Sequence, residues 1–370
     1  MTARPAIDLC DLAPSYISAI APYQPGKPIA ELERELGITG AVKLASNENP
    51  AGASARAIAA ARAALDDIAR YPDGNGFELK RAIAARHGVA ENAIVLGNGS
   101  NDVLELVART FLTPGAAAVF AQHAFAVYAL VTQATGAIGI EVPARDYGHD
   151  LPAMARAITA DVKVVFVANP NNPTGTLAPP HEVLAFLESV PSRVLVVLDE
   201  AYGEYLPDAL KSDSVAWLSR FPNLVVSHTF SKAYGLAGLR VGYGLTHPAL
   251  ADLMNRVRQP FNVSSVAQAA AVAALDDESF VRDSRERNGE GMAQITAGLA
   301  GLGLDFIPSY GNFVTFRVAH ASGVYDRLLR LGVIVRPIAS YGMPDFLRVS
   351  IGLQGENARF LAALGHALSR

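Results

Sequence analysis

The sequence predicts an α/β protein: a large unit with a mostly parallel sheet between helices, followed by a smaller α+β unit. Three observations carry this prediction. From Ala93 onward, short apolar strand patterns alternate with helical ones. Two of the strand patterns, Lys163 to Ala168 and Val194 to Leu198, are almost continuously apolar, as suits parallel strands buried on both faces. A chain of 370 residues is also too long for one small core.

Taken in order, residues 1–50 are proline-rich and read as an arm that packs with the small unit. Its helix, Ile29 to Leu36, ends at Gly37. Ser54 caps a helix through the alanines to Ile68. Tyr71-Pro72-Asp73-Gly74 is a turn, and the helix Phe77 to Arg86 stops at Gly88. Strand Ala93 to Leu96 then leads through Gly97-Asn98-Gly99-Ser100, where Ser100 can cap, into a helix from Asp102 to Leu112. From Thr110 to Ile140 there is no Asp, Glu, Lys or Arg. Pro114, Gly115, Gln122, His123, Gln133 and Gly136 break this stretch into strand 117–121, helix 125–135 and a further strand, so it is not a membrane span. Helix Pro180 to Val190 joins the two apolar runs, and Asn223 to Ser227 is another buried strand. Such alternation implies parallel strands with right-handed crossovers and a ligand at their carboxyl ends. After Gly244 the helices Pro248 to Arg258, Ser264 to Leu275 and Glu278 to Leu302 follow. The tail alternates strand Asn312 to Val318, a helix to Leu331, strands Val333 to Arg336 and Phe346 to Ile351, and a last helix to Ser369. The large unit is expected over 51–270 and the small one over 271–370.

Composition narrows the function. Hydrophobic content of 51% and charged content of 18% describe a packed globule, not a disordered chain. A net charge of −4 without a basic patch argues against a nucleic-acid partner. The single cysteine, Cys10, cannot form an internal disulfide or a zinc site and suits a reducing cytoplasm. No signal peptide is evident. The histidines His87, His123, His149, His228 and His366 show no ligand spacing, so no metal is expected.

Four polar places stand at the ends of predicted strands. Lys232, one of only six lysines, lies among small and apolar residues with Thr229, Ser231 and Arg240 beside it. A partly desolvated amine near another cation loses its proton near neutral pH, as a Schiff-base lysine requires. The hydroxyls and the guanidinium suit a phosphate. Asp199, in Asp199-Glu200-Ala201-Tyr202, ends an apolar strand with no basic residue nearby in sequence, so it needs a cation from elsewhere. Asn169-Pro170-Asn171-Asn172-Pro173-Thr174-Gly175 is a stiff loop that offers Asn172 as a donor. Gly97 to Asn101 offers a helix N-terminus to an anion. Together these meet the needs of pyridoxal phosphate: an amine, a carboxylate for the ring nitrogen, donors for the ring oxygen, an anion cradle and an aromatic face.

These motifs, with Ser231-Lys232-Ala233-Tyr234-Gly235-Leu236-Ala237-Gly238-Leu239-Arg240, resemble the fold-type-I pyridoxal-phosphate aminotransferases, with their aspartate-aminotransferase-like fold. The arm segments Tyr23 to Pro28 and Leu44 to Pro50, Arg70-Tyr71-Pro72-Asp73 and the tail Phe346 to Gly352 are similar to the histidinol-phosphate aminotransferase family. The resemblance implies that Lys232 is the Schiff base and proton shuttle and that Asp199 pairs with the pyridinium. It implies that Asn172 and Tyr202 contact the ring oxygen. Ser100, Asn101, Thr229, Ser231 and Arg240 would hold the phosphate. Phe125 would stack on the ring, although Gln122-His123-Ala124 precedes it where the family more often has a Pro-Thr-like pair. Arg348, with Arg336 and Asn172, would bind the substrate, and Tyr23 would close over it. Tyr71 would reach the phosphate of a neighbouring subunit, making a homodimer the active unit.

The implied reaction transfers an amino group between L-histidinol phosphate and 2-oxoglutarate, a step of histidine biosynthesis, with small-molecule amino donor and keto acceptor as the partners. An aromatic aminotransferase on the same scaffold is the alternative, and a threonine-phosphate decarboxylase a more distant one. A cofactor-binding sensor would need a DNA-binding segment, for which no residues are spare. A nicotinamide dehydrogenase would need a glycine fingerprint that is absent.

Overall fold

The computed structural model describes residues 9–23 and 25–369. The first eight residues of the predicted arm and Gln24 lie outside the described residues. The central feature is a seven-stranded sheet. Its order is Ile94–Gly97, Gly242–Thr246, Leu224–Thr229, Leu195–Asp199, Val162–Ala168, Ala117–Ala121 and Ile138–Val142. The last five are mutually parallel. Gly242–Thr246 runs antiparallel to both of its neighbours.

That strand is the antiparallel exception in the mostly parallel sheet expected, and Gly242-Tyr243-Gly244 carries no strand signature. Its glycines are there for close approach. A Cβ at Gly242 would lie 2.5 Å from the Ser100 nitrogen, and one at Gly244 would lie 2.9 Å from Val103 Cγ1. The helix that begins at Ser100 is thereby pressed onto the sheet. It runs Ser100–Phe111, and Gly99 occupies the cap position at φ 81° and ψ 169°. Ser100 is therefore the first helical residue and not the cap, since only glycine holds that backbone without strain. Ser54 does cap its helix: its Oγ accepts from the Ala57 N–H at 3.1 Å. That α-helix ends at Ala64 and continues as a 3-10 turn.

Two main buried cores result, with three smaller buried clusters beside them. The first surrounds the seven-stranded sheet and draws on residues from Ala57 to Leu275. The second gathers Leu44 from the arm, Ile295 and Leu299 from helix Glu278–Gly301, and the strands and helices of the tail. Each fully buried Val or Leu contributes roughly 1.5–3 kcal/mol. The predicted strand Val333 to Arg336 is in fact two. Val333–Ile334 pairs in parallel with Val42–Lys43 of the arm, and Arg336–Pro337 joins a four-stranded antiparallel sheet with Phe346–Ser350, Phe313–Arg317 and Phe306–Ile307. A partner some 300 residues away, invisible to local pattern, splits the strand. Among the described residues, no helix is long and apolar enough to cross a membrane, and no group of His, Cys, Asp or Glu could hold a metal ion.

Candidate active site

The carboxyl ends of the parallel strands open into one pocket, which the arm and the tail sheet close from the other side. Asp199 is the last residue of its strand and Thr229 the last of the next, so sheet pairing fixes both. Lys232 follows Thr229 by three residues.

Asp199 is buried. Tyr128 Oη donates to its Oδ2 at 2.9 Å, while Oδ1 is buried with no hydrogen-bond partner among the described residues. Burial pushes the carboxyl up to about 6, opposed chiefly by the Tyr128 hydrogen bond. A carboxylate with one oxygen pinned and the other vacant suits a single cationic N–H donor. Lys232 Nζ donates to the Ser46 carbonyl at 3.2 Å and lies 5.7 Å from the centre of the Tyr202 ring. Burial, and then the Arg348 guanidinium, lower its amine to about 8. The unprotonated, nucleophilic form is thus accessible near neutral pH.

Two donors face the pocket because their other atoms are already committed. Asn172 Oδ1 accepts from Arg348 Nη1 at 2.5 Å, which leaves the Asn172 amide N–H₂ to donate. Both X–Pro bonds of its loop, Asn169–Pro170 and Asn172–Pro173, are cis. Tyr202 Oη accepts from Asn47 Nδ2 at 3.0 Å, and burial raises the phenol to about 12, so its own proton stays available. The anion cradle lies at the opposite end. Arg240 Nη1 donates to Ser231 Oγ at 3.1 Å, and Thr229 Oγ1 accepts from the Ser231 N–H at 3.1 Å. Arg240 itself takes a left-handed backbone, φ 56°, and its guanidinium lies against Gly99, where a Cβ would come within 2.3 Å of Nη2. The first N–H groups of helix Ser100–Phe111 point to the same place. Asp102 does not oppose an anion there, because its Oδ2 accepts from the Asn98 N–H and from Asn262 Nδ2.

Phe125 lines the pocket with its ring edge-on to Tyr128. Arg348 is buried; besides Asn172 it binds the Ala45 carbonyl at 2.7 Å, and it lies 5.2 Å from the centre of the Phe313 ring. Arg336 sits 5.4 Å from the ring centre of Tyr23, which is 52% exposed, so the arm side chain lies at the mouth. Tyr71 is not in this chain's pocket. It is 83% exposed and stacks on Phe261 with ring centres 4.7 Å apart.

Among the pocket residues outside the predicted set are Tyr128, Asn47 and Tyr341. Tyr128 carries the signal of a core aromatic, and Phe125 precedes its helix, Val127–Ala134. Asn47 stands in Ser46-Asn47-Glu48-Asn49-Pro50, a polar, proline-ended stretch as stiff as the Asn172 loop. Tyr341 comes from a 3-10 turn of the tail and has no local signal.

The model for "Aminotransferase class I and II" matches residues 39–364. The chain belongs to the class I and II aminotransferases. It is 65% identical over 362 residues to the histidinol-phosphate aminotransferase of Methylobacillus flagellatus, covering 97% of this chain and 98% of that one. It is 61% identical over 365 residues to histidinol-phosphate aminotransferase 2 of Nitrosospira multiformis, with 98% and 93% covered. Its fold superposes on the crystal structure of histidinol-phosphate aminotransferase from Sinorhizobium meliloti in complex with pyridoxal 5'-phosphate. The TM-score is 0.89 at 30% identity, over 96% of this chain and 97% of that one.

Proposed function

We propose that this protein is a pyridoxal-phosphate-dependent aminotransferase that moves an amino group between L-histidinol phosphate and 2-oxoglutarate, in cytoplasmic histidine biosynthesis. The observation that carries the reading is the vacant, buried Oδ1 of Asp199 facing a pocket that also holds a pKa-lowered Lys232. The donor set fits the cofactor: Asp199 for the ring nitrogen, Asn172 and Tyr202 for the ring oxygen, and Phe125 for one ring face. Ser100, Asn101, Thr229, Ser231 and Arg240 fit its phosphate. Bound there, pyridoxal phosphate supplies a carbonyl carbon that takes up the amine and a protonated ring that withdraws electrons from the adjoining carbon.

The chain's own residues do the rest. Lys232 Nζ anchors the cofactor and then carries the proton leaving the substrate carbon. Asp199 stays ionised beside a cation and keeps that ring nitrogen protonated. Arg348 binds the substrate's anionic end through charge-assisted N–H donors, with Arg336 assisting, and Tyr23 excludes water from the mouth. The reading divides the chain into an arm, 1–50, a cofactor-binding unit, 51–270, and a small unit, 271–370. It also makes the active unit a homodimer: Tyr71, exposed and outside its own pocket, reaches the phosphate of the neighbouring site.

The test follows the bound cofactor's visible absorption on purified protein while L-histidinol phosphate, L-glutamate or L-phenylalanine is added alone. Conversion by the first two, with phenylalanine much slower, is the expected result. Equal or faster conversion by phenylalanine replaces the reading with an aromatic aminotransferase, whose carboxylate Arg348 would bind equally well.

A further inference from the structure

The turn that leads into Phe125 departs from the family's usual Pro-Thr-like pair, and its histidine has no part in the cofactor's donor set. We propose that His123 is a positioning residue: its ring latches the tail turn bearing Tyr341 onto the sheet unit, so that the substrate wall and the cofactor's stacking face are set together. The role rests on the transamination reading for the reaction it serves.

His123 takes a left-handed backbone, with φ 57°. Proline cannot adopt it, and other residues with a side chain adopt it under strain. Such a position persists only where its surroundings over-determine it. The Gln122 N–H donates to the Val142 carbonyl at 2.7 Å, and the Ala124 N–H donates to the Ala121 carbonyl at 3.2 Å. The His123 carbonyl itself accepts from Asn171 Nδ2 at 3.0 Å, in the loop that presents Asn172. Backbone groups alone therefore tie this turn to the strand ends and to the loop that serves the ring oxygen. The imidazole is left for another task.

That ring reaches the tail unit. Its Nδ1 lies 2.5 Å from the Tyr341 carbonyl, 218 residues away. A carbonyl can only accept, so Nδ1 bears the proton and donates it. Tyr341 ends the 3-10 turn Ala339–Tyr341, and Gly342 follows at φ 74°. A Cβ at Gly342 would stand 3.5 Å from His123 Cε1, so the tail turn packs directly on the imidazole.

Tyr341 is what the latch positions. It lines the pocket together with Tyr23, Arg336 and Arg348. Burial raises its phenol, opposed first by the Arg348 guanidinium, so the hydroxyl keeps its proton beside the arginines. The wall near the substrate's anionic end thus takes its place from a residue of the other unit. Phe125 lies two residues beyond His123, so ring face and substrate wall share one anchor. A tail turn freed of this bond has more settings to lose when substrate binds, and that loss falls on affinity.

The experiment compares wild-type holoenzyme with His123→Asn and His123→Gly. Asparagine tolerates the left-handed backbone and carries an amide donor at the same branch as Nδ1. Glycine takes that backbone without strain and has no donor. Both variants keep the carbonyl that binds Asn171, so only the ring's bond is tested. Hydrogen–deuterium exchange over 338–343 reads the latch without any reaction: faster in His123→Gly, as wild type in His123→Asn. Steady-state kinetics read the positioning. KM for L-histidinol phosphate should rise about threefold to tenfold in His123→Gly, with kcat within about twofold, and His123→Asn should restore it. A merely structural role would lower the melting temperature without that KM-against-kcat split. Wild-type exchange or wild-type KM in His123→Gly, or failure of His123→Asn to restore either, overturns the proposal. Failure of the wild type to convert L-histidinol phosphate would instead sink the transamination reading, and the exchange would still decide whether the latch exists.

Discussion

Asp199 and Glu200 are neighbours in sequence, the first buried and the second with a side chain 12% exposed, and both are held above the ordinary carboxyl range by the same cause. Asp199 faces the pocket and is raised to about 6; Glu200 faces the other way and is raised to about 8, in each case first by burial. Around Glu200 lie Ser214, whose hydroxyl donates at 2.9 Å, the mostly buried Glu204 and the buried His228. His228 stands 3.7 and 3.8 Å from the two glutamates. Those contacts are too long for hydrogen bonds, and burial keeps His228 neutral, with its pKa lowered to about 3, so they are not ion pairs near neutral pH. Burial thus sets the direction of both shifts, and the partners decide what each acid is for. Glu200 keeps its proton at neutral pH. Asp199 is given Tyr128 on one oxygen, Lys232 nearby and an unfilled position on the other, so its charge awaits a cation.

Removing the pocket's chemistry tests this contrast most severely. Lys232→Ala should lose at least about 10⁴-fold in kcat and the borohydride-sensitive visible band. Capture of cofactor by the apo-protein should accelerate as pH rises toward about 8, where Lys232 gives up its proton. Next comes Asp199→Asn, expected to cost about 10²–10³-fold in kcat while the protein still folds and binds cofactor. If Asp199→Asn keeps wild-type turnover, the vacancy at Oδ1 has no electrostatic role.

Arg348→Gln should raise KM for the anionic substrate by about 10–100-fold, with a smaller effect on kcat, because hydrogen bonds to charged groups contribute about 1.5–3 kcal/mol. A fall in kcat alone would relocate the substrate's anion. The smallest effect belongs to Glu200→Gln, with turnover within about twofold of wild type. Stability should respond instead. Glu200 has a folded pKa of about 8 against an ordinary 4.5, so the folded state holds its proton more tightly. Its stabilising contribution is complete below 4.5 and declines as pH rises to about 8. Thermal melts should show Glu200→Gln gaining on wild type across that interval; a constant difference would mean that Glu200 is ionised throughout.

Legibility in the sequence followed range. Polar residues that end apolar strands, such as Asp199 and Thr229, announce themselves, because nothing local explains a carboxylate or hydroxyl there. Asn172 does so through the stiffness of its loop, and Lys232 through the rarity of lysine in this chain. What stayed hidden is what only contact across the chain defines. Tyr128 looks like core until it meets Asp199, 71 residues on, and Asn47 looks like loop until it meets Tyr202, 155 residues on. The antiparallel strand Gly242–Thr246 was hidden for a different reason. Its glycines are chosen for what presses on them and not for any strand preference of their own.

The segment Val42 to Pro50 has a consequence for how the molecule is made. The Leu44 carbonyl accepts from the Ser350 N–H, the Asn47 N–H donates to Ser350 Oγ at 2.8 Å, and the Asn47 carbonyl accepts from Asn312 Nδ2. The Ser350 contacts span about 300 residues of chain. During synthesis this stretch is made 265 to 303 residues before the partners Asn312 and Ser350. The sheet unit can assemble before the tail is made, but the wall of the pocket must wait for it, so catalytic competence follows the tail and not the sheet.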